Sequence, residues 1–302
     1  MVKEKYPRTK RQVQGMRLEE GFYNKKEGNQ KAEKDVQERE KRKNIALGPS
    51  IAVSKDFKLM THIVAGYPSL KQSETLALAM ADFGASLIEI QIPFSDPIAD
   101  GQTIMRANAL AQKNKITVED CFKLLEKLKQ RVKIPLLFMT YYNIPFTYGL
   151  ERFCHKAKES GCYGLIIPDI PFDEEKQEHY LSICKRYKLH AIQIISLLTP
   201  ENRLKKIAKI ASGFIYCVSR TGTTGESKNV QKNLDKNLKI IKKIIKVPLA
   251  LGFGISTKQQ IEYLRQKAEI LVIGSKILNI YNHAAKFEKM NEVNSFLSTL
   301  LS

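Results

Sequence analysis

Between residues 59 and 273 eight short apolar runs recur, at 59–64, 87–92, 136–140, 164–167, 191–195, 214–218, 249–251 and 270–273. Between and after them lie longer stretches whose apolar residues keep a helical spacing, at 73–83, 118–131, 150–160, 173–187, 200–210, 230–245, 257–265 and 286–301. Continuous apolar runs of this length suit strands buried on both faces, and a helix after each strand is the crossover that parallel pairing requires. Eight strand–helix units therefore predict an α/β chain closed into a single (β/α)8 barrel of the TIM type. An open doubly wound sheet is the other architecture that alternates this way. Local signals support individual helix starts: Thr117 stands before Glu119 and Asp120, and Thr199 precedes Pro200, read as a first helical residue.

Residues 1–56 break the pattern. They are rich in Lys, Glu and Gln and show no sustained period, so they bury too little apolar surface to offset the entropy of ordering. The expected organisation is a charged, unstructured N-terminal extension over 1–56 and a catalytic barrel over 57–302. Of the net charge of +19, residues 1–45 supply +6, from 14 Lys and Arg against 8 Asp and Glu. Much of the remainder falls on one predicted helix, with Lys232, Lys236, Lys239, Lys242, Lys243 and Lys246. This pattern reads as a solvated helix face, or else as a polyanion site. No zinc-ligand or helix-turn-helix spacing accompanies it, so no nucleic-acid partner is expected. The five cysteines are scattered and form no C-x-x-C, which points to a reducing, cytoplasmic location without a disulfide framework or metal site. No apolar run is long enough to predict a membrane span.

In a barrel the chemistry gathers where strands end and helices begin. Glu89 sits within the second apolar run, and strand alternation places it on the same face as Leu87 and Gln91. A carboxylate there is costly unless it is paired or used. It is either a general acid/base at the barrel mouth or a core glutamate satisfied by backbone or a lysine. Asp100 follows in a loop bounded by Pro97 and Gly101, as a second acid or as a loop-organising cap. Gly252, Phe253 and Gly254 follow the seventh run, and Gly274 and Ser275 follow the eighth and open a short helix. Two glycine turns there suit a phosphate cradle, although each alone is compatible with a tight βα turn. The polar loop from Ser219 to Glu226 is flexible enough to be a lid or simply a surface loop.

Taken in order, these segments resemble tryptophan synthase alpha subunits from about residue 59 to residue 277. The resemblance rests on Ala65-Gly66-Tyr67-Pro68, on Pro93-Phe94-Ser95-Asp96-Pro97-Ile98-Ala99-Asp100-Gly101, and on Pro168-Asp169-Ile170-Pro171. It continues through residues 216–225, Gly252 to Ser256, and Gly274-Ser275. It implies a lyase of tryptophan biosynthesis that splits indole-3-glycerol phosphate into indole and glyceraldehyde 3-phosphate. Glu89 and Asp100 would be its catalytic acid/base pair, with Tyr216 near the glutamate. His62 and Phe253 would line the indole pocket, Thr224 would belong to the lid, and Gly225, Gly254, Gly274 and Ser275 would hold the phosphate. Asp96, Pro97, Asn143 and Asp169 would face a beta subunit in an alpha2beta2 assembly. No cofactor is implied in this chain, because the family's pyridoxal phosphate belongs to the beta partner. Three positions depart from the family pattern: His62 replaces a common aromatic residue, Gln91 a common glycine and Gln102 a common proline.

Overall fold

A computed structural model describes residues 57–219 and 228–301. The expectations for the N-terminal extension and for Thr224 and Gly225 lie outside the described residues. From β1 (Lys58–Val64) the chain passes through α1 (Leu70–Asp82), β2 (Leu87–Gln91), α2 (Gln102–Lys113), α3 (Val118–Arg131) and β3 (Leu136–Met139). It continues through α4 (Asn143–Tyr148), α5 (Leu150–Glu159) and β4 (Gly164–Ile166) to a 3-10 turn (Phe172–Glu174), then α6 (Glu175–Glu178), α7 (Tyr180–Arg186) and β5 (His190–Ser196). The rest is α8 (Glu201–Ile210), β6 (Ile215–Val218), α9 (Lys228–Ile244), β7 (Leu249–Gly252), α10 (Lys258–Leu264), β8 (Ile270–Ile273), α11 (Ser275–His283) and α12 (Lys289–Leu301).

The eight strands close in sequence order, all parallel, with β1 hydrogen-bonded to both β2 and β8. The chain is thus a (β/α)8 barrel, as the alternation predicts, and the open sheet is excluded. Period-two alternation then sorts side chains into two cores. Leu59, Ile63, Ile88, Ile90, Leu136, Phe138 and Leu251 point outward and pack under the helices. Met60, Leu87, Leu137, Ile166, Ile192, Phe214, Ala250 and Ile270 fill the barrel interior. Gly164 is a packing requirement: a Cβ there would lie 2.5 Å from the His190 carbonyl oxygen on β5.

Helix termini follow their local chemistry. Thr117 and Asp120 form a reciprocal capping box at the start of α3, and Thr257 with Gln260 does the same for α10. In α9, Leu234, Leu238 and Ile241 are buried while Lys236, Lys239 and Lys243 are exposed, so the lysine-rich stretch is a solvated face. All five cysteines are buried and none is in a disulfide. Among the described residues no helix is long and apolar enough to cross a membrane.

Three local expectations need correction. Pro200 is the cap of α8, with ψ 147, and not its first helical residue; Thr199 instead accepts the Ser196 amide at 2.9 Å. The single helix expected over 173–187 is a 3-10 turn and two short helices, broken where His179 takes a left-handed φ of 56°. Helix α2 was not anticipated at all. Its buried residues are Ile104, Ala107, Asn108 and Ala111, and only the isoleucine carries a strong apolar signal.

Opposite the strand ends that carry the chemistry, Glu269 just before β8 is fully buried. It accepts the Leu249 amide at 2.9 Å and pairs with Lys242 of α9 at 3.1 Å. Removing one partner of such a pair strands the other and an amide donor. Glu269→Ala is therefore expected to lower unfolding stability by about 3 kcal/mol, read from urea denaturation.

Candidate active site

Glu89 lies on β2 in register with His62 on β1 and Leu137 on β3. Its inward direction, fixed by alternation with Leu87 and Gln91, puts a carboxylate that is 3% exposed among interior side chains. Glu89 Oε2 is 3.3 Å from His62 Nδ1, an ion-pair contact between two buried groups. The glutamate is thus satisfied neither by backbone nor by a lysine, the two structural roles open to it from sequence.

Asp100 reaches the same place from the loop that leaves β2. Its Oδ2 accepts from Gln91 Nε2 at 2.6 Å and from the Tyr141 hydroxyl at 3.0 Å. The loop itself is held at several points. The Ala99 amide donates to the Tyr141 hydroxyl at 3.0 Å, Phe94 stacks on the Tyr141 ring, and buried Asn108 of α2 accepts the Phe94 amide at 3.0 Å. Helix α2 therefore clamps the loop that presents Asp100.

Burial is the first cause of a raised pKa at Asp100. The hydrogen bond from Gln91, the charge of His62 and the hydrogen bond from Tyr141 oppose it, while the charge of Glu89 adds to it. Tyr216 on β6 is pushed well above its ordinary value, first by burial and then by the charges of Glu89 and Asp100. It therefore remains a protonated hydroxyl facing the two carboxylates. Gly252 makes room for it, since a Cβ there would meet Tyr216 Cε2 at 2.6 Å. Gly274 does the same for His62, whose Cβ lies 2.9 Å from the position a Gly274 Cβ would take.

Thus Glu89, Asp100, Tyr216 and His62 converge, and Gln91 and Tyr141 join them. Tyr141 was not singled out from sequence, although alternation with Leu137 and Met139 points it inward. Among the described residues, two buried polar atoms of this one cluster, His62 Nε2 and Gln91 Oε1, have no hydrogen-bond partner, and Glu89 Oε2 has only its contact with His62. Buried polar atoms are nearly always satisfied, so their concentration here marks a place built to receive a polar ligand.

The glycine turns border the same mouth. Gly254 has φ +65 with open space around the position of a Cβ, and Gly274 caps the nine-residue α11, with half-buried Ser275 as its first residue. The first amides of a helix lack intrahelical acceptors and carry partial positive charge. Phe253, just past β7, is 1% exposed and packs within the larger hydrophobic cluster. Asp96, Asn143 and Asp169 are exposed on the strand-end face, whereas Pro97 is buried. Asp169 also organises that face by accepting the Tyr142 amide on both oxygens, at 2.9 and 3.0 Å.

Comparison with known proteins gives a consistent result. Residues 51–299 match the family model described as tryptophan synthase alpha chain. The tryptophan synthase alpha chain of Syntrophotalea carbinolica is 41% identical over 226 residues, covering 75% of this chain and 88% of that protein. The one from Petrotoga mobilis is 37% identical over 254 residues, covering 82% and 98%. Among solved structures, a mutant tryptophan synthase alpha-subunit from Pyrococcus furiosus superimposes with a TM-score of 0.74 at 30% identity, covering 81% of this chain and 97% of that one.

Proposed function

The chain belongs to the tryptophan synthase alpha chain family, and we propose that it cleaves indole-3-glycerol phosphate into indole and glyceraldehyde 3-phosphate with Glu89 and Asp100 as its working carboxylates. The observation that carries the reading is the arrangement of those two acids. One is fixed on a strand inside the barrel mouth, the other is delivered by a clamped loop, and unsatisfied polar atoms lie beside them.

Breaking the bond between indole C3 and the glycerol chain leaves an electron pair on the ring. Protonating C3 first turns the ring into an indolenine that can accept that pair. Asp100 interacts with the ring N–H and stabilises the positive charge that develops there, a role that gains strength from its partly buried setting. Glu89 delivers the proton to C3 and then takes one from the side-chain hydroxyl. The carbon–carbon bond breaks, the aldehyde forms and the aromatic ring is restored. One proton is given and one is taken back, so the cycle needs no external acid. Tyr216, held in its protonated form, supports the Glu89 carboxylate.

The phosphate is assigned to the amides around Gly254 and at the α11 start, with Ser275 adding a hydroxyl donor. Thr224 and Gly225 are assigned to the loop that covers the bound substrate, and Phe253 to a wall of the indole pocket. All of this chemistry is assigned to the barrel domain, 57–302. A cytoplasmic location fits the five buried cysteines, none of them in a disulfide.

The partner is the tryptophan synthase beta subunit, in an alpha2beta2 assembly in which pyridoxal phosphate is carried by beta and none is needed here. Ile98, Phe146 and Leu198 are 83%, 62% and 82% exposed. They follow β2, β3 and β5, on the face that also presents Asp96, Asn143 and Asp169. Exposed apolar residues mixed with polar ones are the composition of a docking face. The reading is tested by adding purified beta subunit and measuring mass by light scattering together with the rate of indole release. A two-plus-two complex with faster release is expected. A folded chain that neither associates nor responds would contradict it.

A further inference from the structure

We propose that His62 is a positioning residue that shares one proton with Glu89, so that the two side chains act as a single acid/base couple. The inference rests on the lyase reading above and adds to it the source of the proton that starts the reaction.

The geometry comes first. His62 and Glu89 are register partners on adjacent strands, both directed into the barrel, with Nδ1 and Oε2 3.3 Å apart and side-chain exposures of 8% and 4%. Strand pairing fixes both Cα atoms, so neither side chain can leave the other without a rotamer change inside a packed interior. Gly274 leaves room for the side chain at position 62, since a Cβ there would lie 2.9 Å from His62 Cβ.

The remaining surroundings are equally defined. Among the described residues, the titratable groups around His62 are Glu89 on β2 and Asp100 from the following loop; the Tyr216 hydroxyl on β6 lies beside Glu89, and that of Tyr141, just past β3, is bonded to Asp100. Gln91, next to Glu89 on the inward face of β2, joins the pair to Asp100 through its 2.6 Å bond. Gly274, just past β8, stands next to His62 on that side. Burial alone would lower the basicity of the imidazole, but the charge of Glu89, then that of Asp100, outweighs it, and His62 stands above its ordinary value of 6.5.

A chemical consequence follows. Glu89 must hold a proton when indole C3 needs one, yet it must be anionic when the side-chain hydroxyl gives one up. In the couple, imidazolium with carboxylate converts to imidazole with carboxylic acid by moving one proton over the contact. The acid form of Glu89 protonates C3, and a C–H bond forms. The resulting carboxylate removes the hydroxyl proton as the carbon–carbon bond breaks, and the proton returns to His62. Atoms and charge balance within the pair and the substrate.

The couple fixes the sign of the pH dependence. Activity requires that the pair carry one proton, so kcat falls as pH rises through the raised pKa of His62. With a non-titrating residue at position 62 the limb loses the group that sets it and no longer follows the His62 pKa.

The test uses the full-length chain with the beta subunit saturating, and follows glyceraldehyde 3-phosphate release against pH for wild type, His62→Phe and His62→Gln. His62→Gln keeps a polar side chain of similar reach should the aromatic variant fold poorly. In both variants the alkaline limb of kcat is expected to be displaced from its wild-type position by about one pH unit or more, a tenfold change in the protonated fraction. In parallel, the imidazole carbon signal of His62 is titrated by NMR in wild type and in Glu89→Gln. The midpoint is expected to drop by about one unit or more when the carboxylate is removed. A limb that stays in place while only KM changes would reduce His62 to a pocket wall and overturn the proposal, as would a His62 midpoint indifferent to Glu89. Were the wild type inactive, the lyase reading would fail by itself, and the NMR titration would still decide whether the pair shares a proton.

Discussion

Replacing Glu89 by glutamine is expected to lower kcat for cleavage of indole-3-glycerol phosphate by about 10² to 10⁴, with KM changed far less. That range is what a positioned proton transfer contributes. Glutamine has nearly the shape of glutamate, so the barrel interior stays packed around Leu87, Gln91 and Leu137. It can neither deliver a proton to C3 nor accept one from the hydroxyl. The variant also removes the negative charge that stabilises protonated His62, leaving a neutral imidazole beside a neutral amide, an arrangement the buried site tolerates. The circular dichroism spectrum and thermal midpoint should therefore stay close to wild type while turnover collapses. A variant that keeps more than about a tenth of wild-type kcat would remove Glu89 from the chemistry.

The second large effect is expected at Asp100. Asp100→Asn should lower kcat by about 10², the loss found when one preorganised electrostatic contact to the reacting group is removed. Two features argue for a loss in turnover and not in binding. The carboxylate is already immobilised by Gln91 and Tyr141, so its orientation costs nothing when the ring N–H becomes positive. In the ground state that N–H is neutral and gains little from the charge. The substitution should thus weaken the transition state selectively, leaving KM within a few-fold. Gln91→Leu offers a milder comparison, because it keeps the charge and frees only one of its two anchors. An Asp100→Asn variant with raised KM and intact kcat would assign this residue to substrate binding instead.

Much of this arrangement is legible in the residues. Eight apolar runs set the strands, and alternation alone turns Glu89 inward with Gln91. The parts that escape do so for identifiable reasons. Gln91 registers from sequence as an inward-facing residue and a departure from a common glycine, but not as a partner of Asp100. Its role depends on the loop curling back so that Asp100, nine positions later, meets its side chain. Helix α2 hides because alanine and asparagine line its buried face and because its start follows an Asp-Gly pair that reads as a turn. The loop clamp through Asn108 and Phe94 is hidden with it. Helix α4 is too short to show a period. Tyr141 was within reach, lying two residues beyond Met139 on the inward face of the third run. The left-handed residue His179 leaves no such trace, because no glycine or asparagine marks it.

His62 illustrates a different limit. The sequence places it near the pocket as a replacement for an aromatic residue, which suggests a wall. Only the register between β1 and β2 shows that its neighbour is the glutamate itself. A substitution that looks like altered ring packing along the chain is, in three dimensions, a change to the protonation of the central carboxylate.

The most direct test of the account is a time course of indole-3-glycerol phosphate incubated with the purified full-length chain, with indole and glyceraldehyde 3-phosphate quantified together. The account predicts that the two products appear in equal amounts, at a rate that is proportional to enzyme and that the Glu89→Gln variant does not sustain. A correctly folded chain that leaves the substrate intact, or a Glu89→Gln variant that releases both products as fast as wild type, would contradict it.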